Sequence, residues 1–280
     1  MTDMPQITLP DGEKVPAYGQ GTWHMGENRG RYADEVAALT LGIELGITLI
    51  DTAEMYGNGV AEEIVAEAVG GNRDSLFIVS KVLPYNASRQ GTIEACENSL
   101  RRLKTDRIDL YLLHWTGSHP FAETLAGFER LKEQGKIRHH GVSNFDRGDM
   151  EKWFALTGGN TVASNQILYN LNRRGPEFDL IPWCRERHIS IMAYSPVDQG
   201  RMLGHKALAD VGARHGATSA QVALAWLQRQ DGMMVIPKAS RQEHVRENLG
   251  ALDLKLTEQD LADLDRAFPP PRNRTTLGML

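Results

Sequence analysis

The chain has 280 residues and a formal net charge of −5, with 41% hydrophobic and 24% charged residues. These values are typical of a globular protein with one large domain or two small ones. The negative charge argues against a nucleic-acid partner. The two cysteines, Cys96 and Cys184, lie far apart, which indicates neither a disulfide framework nor a zinc site. No signal peptide or bilayer-length apolar run is recognisable, so we expect a cytoplasmic protein with no membrane partner.

The predicted elements alternate along the chain. Residues 7–15, ITLPDGEKV, are predicted to form a hairpin that turns at Asp11-Gly12. Amphipathic segments with helical periodicity then alternate with short runs rich in β-branched and aliphatic residues. An additional short helix is expected around 203–215. The eight runs predicted to be strands are 18–23, 47–52, 76–82, 108–115, 137–145, 162–170, 189–195 and 233–239.

The spacing of these strands predicts the fold class. Their ends recur about every 30 residues, the length of one βα unit, and eight such units predict a single (β/α)8 barrel domain over residues 1–280. A doubly wound sheet is the alternative, but YGQGTWHMG lacks the G-x-G-x-x-G turn. We expect the N-terminal β-hairpin to plug one end of the barrel. The tail after Phe268 begins with prolines, cannot start as a helix, and is expected to fold over the pocket.

Polar residues end three consecutive predicted strands. Asp51, Lys81 and His114 occupy these ends, and Tyr56 follows Asp51 by five positions. Taken singly, Asp51 is explained as a helix cap and Lys81 as the partner in an ion pair. His114 is explained as a core histidine, and Tyr56 alone indicates little. Active sites of such barrels lie at the carboxyl ends of the strands. We therefore predict that the four side chains face one volume and form a catalytic site.

The chemistry of these four groups is coherent. A tyrosine has a pKa of about 10, and a neighbouring ammonium stabilises the phenolate and lowers that pKa. Lys81 would supply the ammonium and Asp51 would hold it, which makes Tyr56 a general acid. His114 would orient and polarise a carbonyl oxygen. Because the sequence shows no serine or cysteine nucleophile motif and no metal-ligand pattern, we expect a hydride carrier and no metal.

Several motifs carry a resemblance to a known family. The segments DTAEMYG, SKV, LLHW, GVSNF, NQILYN, AYSP and IPKAS occur in the order found in aldo-keto reductases, and the chain resembles the prokaryotic type with short loops. The resemblance covers almost the whole chain. It implies a (β/α)8 barrel that binds NADP(H) in an extended form and reversibly reduces aldehydes and ketones to alcohols. It also implies a catalytic tetrad in which Tyr56 donates the proton: Asp51, Tyr56, Lys81 and His114.

The resemblance implies the cofactor site as well. The nicotinamide carboxamide would be held by Ser143, Asn144 and Gln166. Tyr194 would stack on the nicotinamide ring, an arrangement that contributes about 1 kcal/mol beyond burial. The resemblance implies that Ser195, Val197 and Gly200 belong to a loop that binds the pyrophosphate. It also implies that Gly21, Thr22 and Trp23 line the mouth of the pocket.

The adenosine end is implied to lie in residues 236–249. Lys238 matches the family lysine at the 2′-phosphate, and Glu247 and Asn248 match the adenine contacts. Ala239 replaces a serine of many members, and His244 replaces an arginine. A guanidinium suits a phosphate, so compensation is expected from one of two nearby arginines, Arg241 and Arg246. We therefore predict that NADP(H) is preferred, with NAD(H) as the alternative cofactor.

The substrate pocket is predicted to be open, since the loop TGSHP after the fourth strand is short. An open site would discriminate only modestly between similar apolar groups. Two other functions stay open: a class I aldolase with a Schiff base on Lys81, and a cofactor-sensing regulatory subunit. We expect a monomer, the usual state of the family. The predicted walls of the pocket are Trp23, Tyr56, Tyr85, His114 and Trp115.

Overall fold

A computed structural model describes residues 4–280 of the chain as a parallel barrel preceded by a hairpin. Eight strands are hydrogen-bonded in sequence order, and a parallel bridge between Tyr18 and Val235 joins the first of them to the last. All neighbouring pairs are parallel. The predicted (β/α)8 barrel is confirmed.

The strands are mostly shorter than the predicted runs because only part of each run pairs with its neighbours. The hairpin consists of β1 (Gln6–Thr8) and β2 (Lys14–Pro16). The barrel strands are β3 (Gly19–Gly21), β4 (Leu49–Asp51), β5 (Phe77–Val82), β6 (Ile108–Leu113), β7 (Ile137–Ser143), β8 (Ser164–Leu168), β9 (Ser190–Tyr194) and β10 (Met233–Val235).

Helices connect the strands. They are α1 (Tyr32–Glu44), α2 (Val60–Val69), α3 (Arg89–Leu103), α4 (Phe121–Glu133), α5 (Arg147–Phe154), α6 (Leu180–Arg185), α7 (Lys206–His215), α8 (Ser219–Gln228), α9 (Gln242–Leu249) and α10 (Glu258–Ala267). The additional helix expected near 203–215 is α7. Helix α10 was not predicted from the sequence, although Thr257 and Asp260 form a capping box at its start. Within residues 4–280, none of these helices has the length and apolarity that a bilayer crossing requires.

The strands form because their residues are apolar on both faces. Every residue of β5 and of β6 is buried, as expected of a parallel sheet covered by helices outside and filled with side chains inside. One hydrophobic cluster lies between strands and helices. A second fills the barrel with side chains such as Leu49, Leu110 and Met192.

The hairpin closes one end of the barrel. Leu9 and Val15 belong to the hydrophobic cluster inside the barrel. Polar contacts fix the hairpin to β7: Glu13 accepts a hydrogen bond from Arg138, and its other oxygen lies 2.9 Å from Nε2 of His139. The predicted plug is confirmed, and the functional cavity lies at the opposite end, where the strands finish.

Candidate active site

Lys81 is the centre of a buried polar cluster at the carboxyl ends of β4 and β5. Its Nζ donates hydrogen bonds to Oδ2 of Asp51 at 2.9 Å, to the carbonyl of Thr52 at 2.8 Å and to Oη of Tyr56 at 3.1 Å. An ammonium has three N–H donors, so all of them are used. Because Oη of Tyr56 accepts from Lys81, the hydroxyl proton of Tyr56 is free to point elsewhere.

The register of the sheet explains why these groups meet. Asp51 pairs with Val79, and Lys81 lies two residues beyond Val79, so both side chains point into the barrel. Gln166 approaches from β8 and donates from Nε2 to Oδ1 of Asp51 at 2.7 Å. The carboxylate of Asp51 is therefore held on both oxygens.

Burial controls the ionisation of this cluster. It raises the pKa of Asp51 and lowers the pKa of Lys81, while their mutual attraction acts on each in the opposite direction. Burial, followed by the Asp51 carboxylate, raises the pKa of Tyr56 well above its usual value. The predicted net lowering of the Tyr56 pKa is therefore wrong for this structure. The cost of burying a phenolate sets this direction, and the carboxylate of Asp51 adds to it.

His114 completes the cluster from the end of β6. Its ring meets that of Tyr56 edge-on, with ring centroids 5.7 Å apart and planes at 72°. Burial, and then the charge of Lys81, lower the pKa of His114 well below its usual value. The imidazole is therefore neutral at neutral pH and carries one N–H donor. Its Nδ1 is buried and has no hydrogen-bond partner within residues 4–280.

A cavity of about 540 Å³ opens beside these groups. It brings together most of the predicted site residues and has a largely apolar mouth. The tail forms part of this mouth through Met279 and Leu280, which confirms the predicted placement of the tail over the pocket. The predicted residues among its lining are Gly21, Trp23, Asp51, Tyr56, His114, Trp115, Ser143, Asn144, Gln166, Tyr194, Ser195, Val197, Gly200 and Lys238.

Amide and hydroxyl groups line one wall of this cavity. Asn144, at φ 57°, donates from Nδ2 to the carbonyl of His114 and to Oγ of Ser143, each at 3.1 Å. Its Oδ1 accepts from Oη of Tyr194 at 2.9 Å. Burial raises the pKa of Tyr194 to about 12. The left-handed conformation of an asparagine is a local strain that clusters at functional sites, and here two side chains and one carbonyl hold the Asn144 side chain in place.

The loop after β9 has an unusual backbone. Ser195, Asp198, Gln199 and Gly200 all have positive φ angles, between 47° and 84°. Side-chain amides from the preceding segment hold this loop: Asn170 donates to the carbonyl of Ser195 at 2.9 Å, and Asn172 to Asp198 at 3.1 Å. Left-handed residues in succession turn backbone N–H groups into a concave anion site.

Some predicted residues lie outside this cavity. Thr22 is buried and its Oγ1 donates to the carbonyl of Asp51 at 3.0 Å, so its contact is structural. Tyr85 is 70% exposed in the turn after β5, and the prediction that it forms a pocket wall is wrong. That turn is held by Glu54, which accepts from the backbone N–H of Leu83 at 2.7 Å, and Tyr85 extends away from the cavity into solvent.

The predicted adenosine residues form a separate group beyond Lys238, on the turn before α9 and on α9 itself. Arg241 is exposed and lies 3.4 Å from Glu243. His244 lies between two carboxylates, with Glu247 at 3.4 Å and Glu243 at 3.8 Å. Ala239 is partly buried against the core. Asn248 lies in the last turn of α9.

Comparisons with known proteins agree with this geometry. A profile described as "Aldo/keto reductase family" matches residues 18–268. The chain belongs to the aldo/keto reductase family. It is 51% identical over 271 residues to methylglyoxal reductase YeaE of Escherichia coli K12, covering 95% of each chain. It is 32% identical over 259 residues to glyoxal reductase of Bacillus subtilis, covering 92% of this chain and 91% of that one. The resemblance identified from the sequence is confirmed.

A solved structure gives the same result for the fold. The crystal structure of an aldo-keto reductase from Klebsiella pneumoniae in complex with NADPH superposes with a TM-score of 0.96 at 46% identity, covering 99% of this chain and 100% of that one. This aldo-keto reductase therefore has the (β/α)8 barrel of its family.

Sequence reasoning missed several residues of the reductase cavity. His24, Met55, Pro196, Gln199, Ile236 and the two tail residues also line it. Most of these residues are adjacent in sequence to predicted site residues, and only this adjacency could have indicated that they line the cavity. Nη2 of Arg31 lies 2.6 Å from Oγ of Ser240, although the two residues are 209 positions apart in sequence. The sequence offers no pattern that predicts this contact, apart from the two arginines of the segment NRGR.

Proposed function

We propose that this reductase uses NADPH to reduce small aldehydes and 2-oxoaldehydes to alcohols, with Tyr56 as the proton donor. The observation that carries the proposal is the hydrogen bonding of Lys81. Its ammonium donates to Oη of Tyr56 at 3.1 Å and to Asp51 at 2.9 Å, so the phenolic proton is directed to another acceptor, and the cavity offers the space for a carbonyl oxygen.

The proton transfer follows from the charges around Tyr56. Its raised pKa keeps the proton on Oη until a stronger acceptor forms. The carbonyl carbon receives a hydride from the reduced nicotinamide, which is the chemistry that the cofactor supplies. As negative charge develops on the carbonyl oxygen, Tyr56 releases its proton to that oxygen. The resulting phenolate lies beside the Lys81 ammonium, which stabilises it.

His114 orients the carbonyl group. Its low pKa leaves a neutral imidazole, which donates one N–H without adding a charge that would oppose Lys81. Asp51 has the positioning role, since it accepts from Lys81 and from Gln166. Removing either of these two hydrogen bonds of Asp51 would shift the Lys81 ammonium relative to Tyr56.

The residues present fit NADPH. Tyr194 offers an aromatic ring at the cavity wall, and Oε1 of Gln166 is left to accept from a carboxamide because its Nε2 is bound to Asp51. In the loop 195–200 the N–H groups of Asp198 and Gly200 donate to backbone carbonyls, and the remaining backbone N–H groups of this turn would meet a pyrophosphate. Lys238 lines the same cavity and suits a phosphate. The NADPH complex of the Klebsiella pneumoniae structure supports this assignment.

The substrate class rests on the relatives and on the lining of the cavity. Relatives with matching coverage are named methylglyoxal reductase and glyoxal reductase. The mouth is narrowed by large apolar side chains, namely Trp23, Met55, Trp115, Met279 and Leu280. Because the nicotinamide shares the cavity of about 540 Å³, a compact carbonyl compound fits best.

The test is a steady-state comparison of two three-carbon aldehydes. Methylglyoxal carries an adjacent ketone and propanal does not, and each is assayed with NADPH and with NADH at the nicotinamide absorbance. We expect kcat/KM with NADPH to be at least about tenfold higher for methylglyoxal. Equal values for the two aldehydes would remove the 2-oxoaldehyde assignment. Absence of turnover with a wide panel of carbonyl compounds would remove the reductase assignment itself.

The aldolase alternative is disfavoured by the same lysine. A Schiff-base lysine needs a free, accessible amine, whereas Nζ of Lys81 is fully buried and donates to three acceptors. Borohydride treatment with a keto substrate is therefore expected to leave no adduct on Lys81. The regulatory-subunit alternative has no observation in its favour, because the four catalytic groups are complete and in contact.

A further inference from the structure

Two cations converge on the hydroxyl of Ser240, beside Lys238 in the cavity lining. Nη2 of Arg31, in the turn before α1, donates to Oγ of Ser240 at 2.6 Å. Nζ of Lys238, beyond β10, donates to the same oxygen at 3.2 Å. A hydroxyl oxygen has two lone pairs, so one neutral acceptor is shared between two positive charges.

No carboxylate of the described residues is in direct contact with either cation. Within residues 4–280, neither Arg31 nor Lys238 has a carboxylate oxygen within 4.0 Å. Burial lowers the pKa of Lys238, and the charge of Arg31 also lowers it, while the carboxylates of Glu35 and Glu27 act in the opposite direction. Like charges held this close are unfavourable, so the structure keeps a pair of cations prepared for an external anion.

The nearby candidates for the same role are already neutralised. Arg241 is exposed and faces Glu243, and His244 lies between Glu243 and Glu247. His244 stands at the position of a family arginine, and Arg241 or Arg246 was expected to compensate for it. The carboxylate partners of Arg241 and His244 make them weaker phosphate ligands than Arg31, whose guanidinium bonds only to a neutral hydroxyl there.

The start of α9 adds neutral donors to these cations. Arg241 is the N-cap residue of α9, and no side chain accepts from the first-turn N–H groups. The free N–H groups of a helix N-terminus favour an anion. Ser240 lies immediately before this cap and is buried. Many family members have a serine at position 239, where this chain has Ala239, so Ser240 supplies a hydroxyl one position later.

We propose that Arg31 is a specificity-determining residue: with Lys238 and Ser240 it binds the 2′-phosphate and thereby sets the preference for NADPH over NADH. The inference rests on the proposed function, since it assigns one more ligand to the same cofactor. Arg31 lies at the start of α1 and Ser240 lies just before α9, so the phosphate would be held between the starts of two helices. An arginine suits this position because its planar guanidinium forms two parallel hydrogen bonds with a phosphate.

The experiment measures equilibrium binding by tryptophan fluorescence, with no turnover required. Arg31→Gln is compared with Arg29→Gln, which removes an exposed arginine of the same turn. NADP⁺, NAD⁺, 2′,5′-ADP and 5′-AMP are the probes. We expect Arg31→Gln to weaken NADP⁺ and 2′,5′-ADP about 10- to 100-fold and to leave NAD⁺ and 5′-AMP within about twofold. Arg31→Lys should recover part of the loss, and Arg29→Gln should bind all four as the parent does.

The outcomes separate this inference from the proposed function. Unchanged NADP⁺ affinity in Arg31→Gln, or an equal loss for NADP⁺ and NAD⁺, overturns the role of Arg31 even if the parent reduces carbonyl compounds. A loss confined to the 2′-phosphate nucleotides supports the role even if no carbonyl substrate is turned over. An equal effect of Arg29→Gln would show that net charge alone is responsible and would also overturn it.

Discussion

Replacing Tyr56 by phenylalanine removes one oxygen atom from the centre of the proposed mechanism. The ring stays buried against His114, and Lys81 keeps two of its three acceptors, Asp51 and the carbonyl of Thr52. Loss of this acceptor leaves one buried N–H of Lys81 unpaired, which costs about 1–3 kcal/mol of stability. The variant is therefore expected to fold and to bind NADPH.

The effect on turnover should be larger than the effect on stability. At the observed 3.1 Å between Nζ and Oη, a phenolate and an ammonium attract each other by about 5 kcal/mol at an effective dielectric constant of about 20. General acid catalysis contributes about 10²–10⁴-fold, which corresponds to about 3–5 kcal/mol of barrier. The attraction between phenolate and ammonium is thus large enough to account for this contribution to the barrier. We therefore expect kcat for methylglyoxal to fall by about 10²–10⁴-fold in Tyr56→Phe.

The matched control is Tyr111→Phe. Tyr111 is fully buried, its hydroxyl has no partner within residues 4–280, and it does not line the cavity. The substitution thus removes the same hydroxyl oxygen at a position outside the active site, and kcat should stay near that of the parent. Parental turnover in Tyr56→Phe, with NADPH binding intact, would refute the assignment of the proton donor. So would an equal loss in both variants.

Three further predictions concern charge, pH and the tail. Asp51→Asn leaves the buried Lys81 without its counter-ion and should lower the free energy of unfolding in urea by about 3–5 kcal/mol; a change below about 1 kcal/mol would mean that Lys81 is neutral in the fold. Burial lowers the pKa of His140 to about 3, so the unfolded chain binds this proton first, and stability is lost as pH falls from about 6.5 towards 3. His140→Leu should therefore flatten the fall of the unfolding free energy between pH 6 and 4 by up to about 1.4 kcal/mol per pH unit, and an unchanged slope would contradict this origin. Deleting Met279 and Leu280 should lower the ratio of kcat/KM for methylglyoxal to that for benzaldehyde, because both residues narrow the cavity; an unaltered ratio would show that the tail does not select substrates.

The parts of the site that follow from strand register were predictable from the sequence. A parallel barrel places strand ends at one edge, and alternation along a strand determines which residues point inward. Asp51, Lys81 and His114 met these two conditions, and the structure brings their side chains together with Tyr56. The cavity lining around Tyr194 and Asn144 was predictable through family motifs rather than through periodicity.

Other properties depend on the surroundings of a residue and had no sequence signal. The direction of the Tyr56 pKa shift reflects burial of its side chain and the nearby carboxylate of Asp51. The exposure of Tyr85 depends on how Glu54 fixes the following turn. The approach of Arg31 to Ser240 joins residues at opposite ends of the chain, and only the closed barrel brings them into contact.

The two ends of the described chain lie on opposite sides of the barrel. The hairpin that begins at Gln6 seals one side, whereas Leu280 lies at the cavity beside Tyr56 and Tyr194. A bulky or charged substitution at Leu280 would therefore obstruct the entrance that substrates use. An exposed hairpin residue such as Gln6 lies far from the chemistry, so a surface label for kinetic work is best attached there.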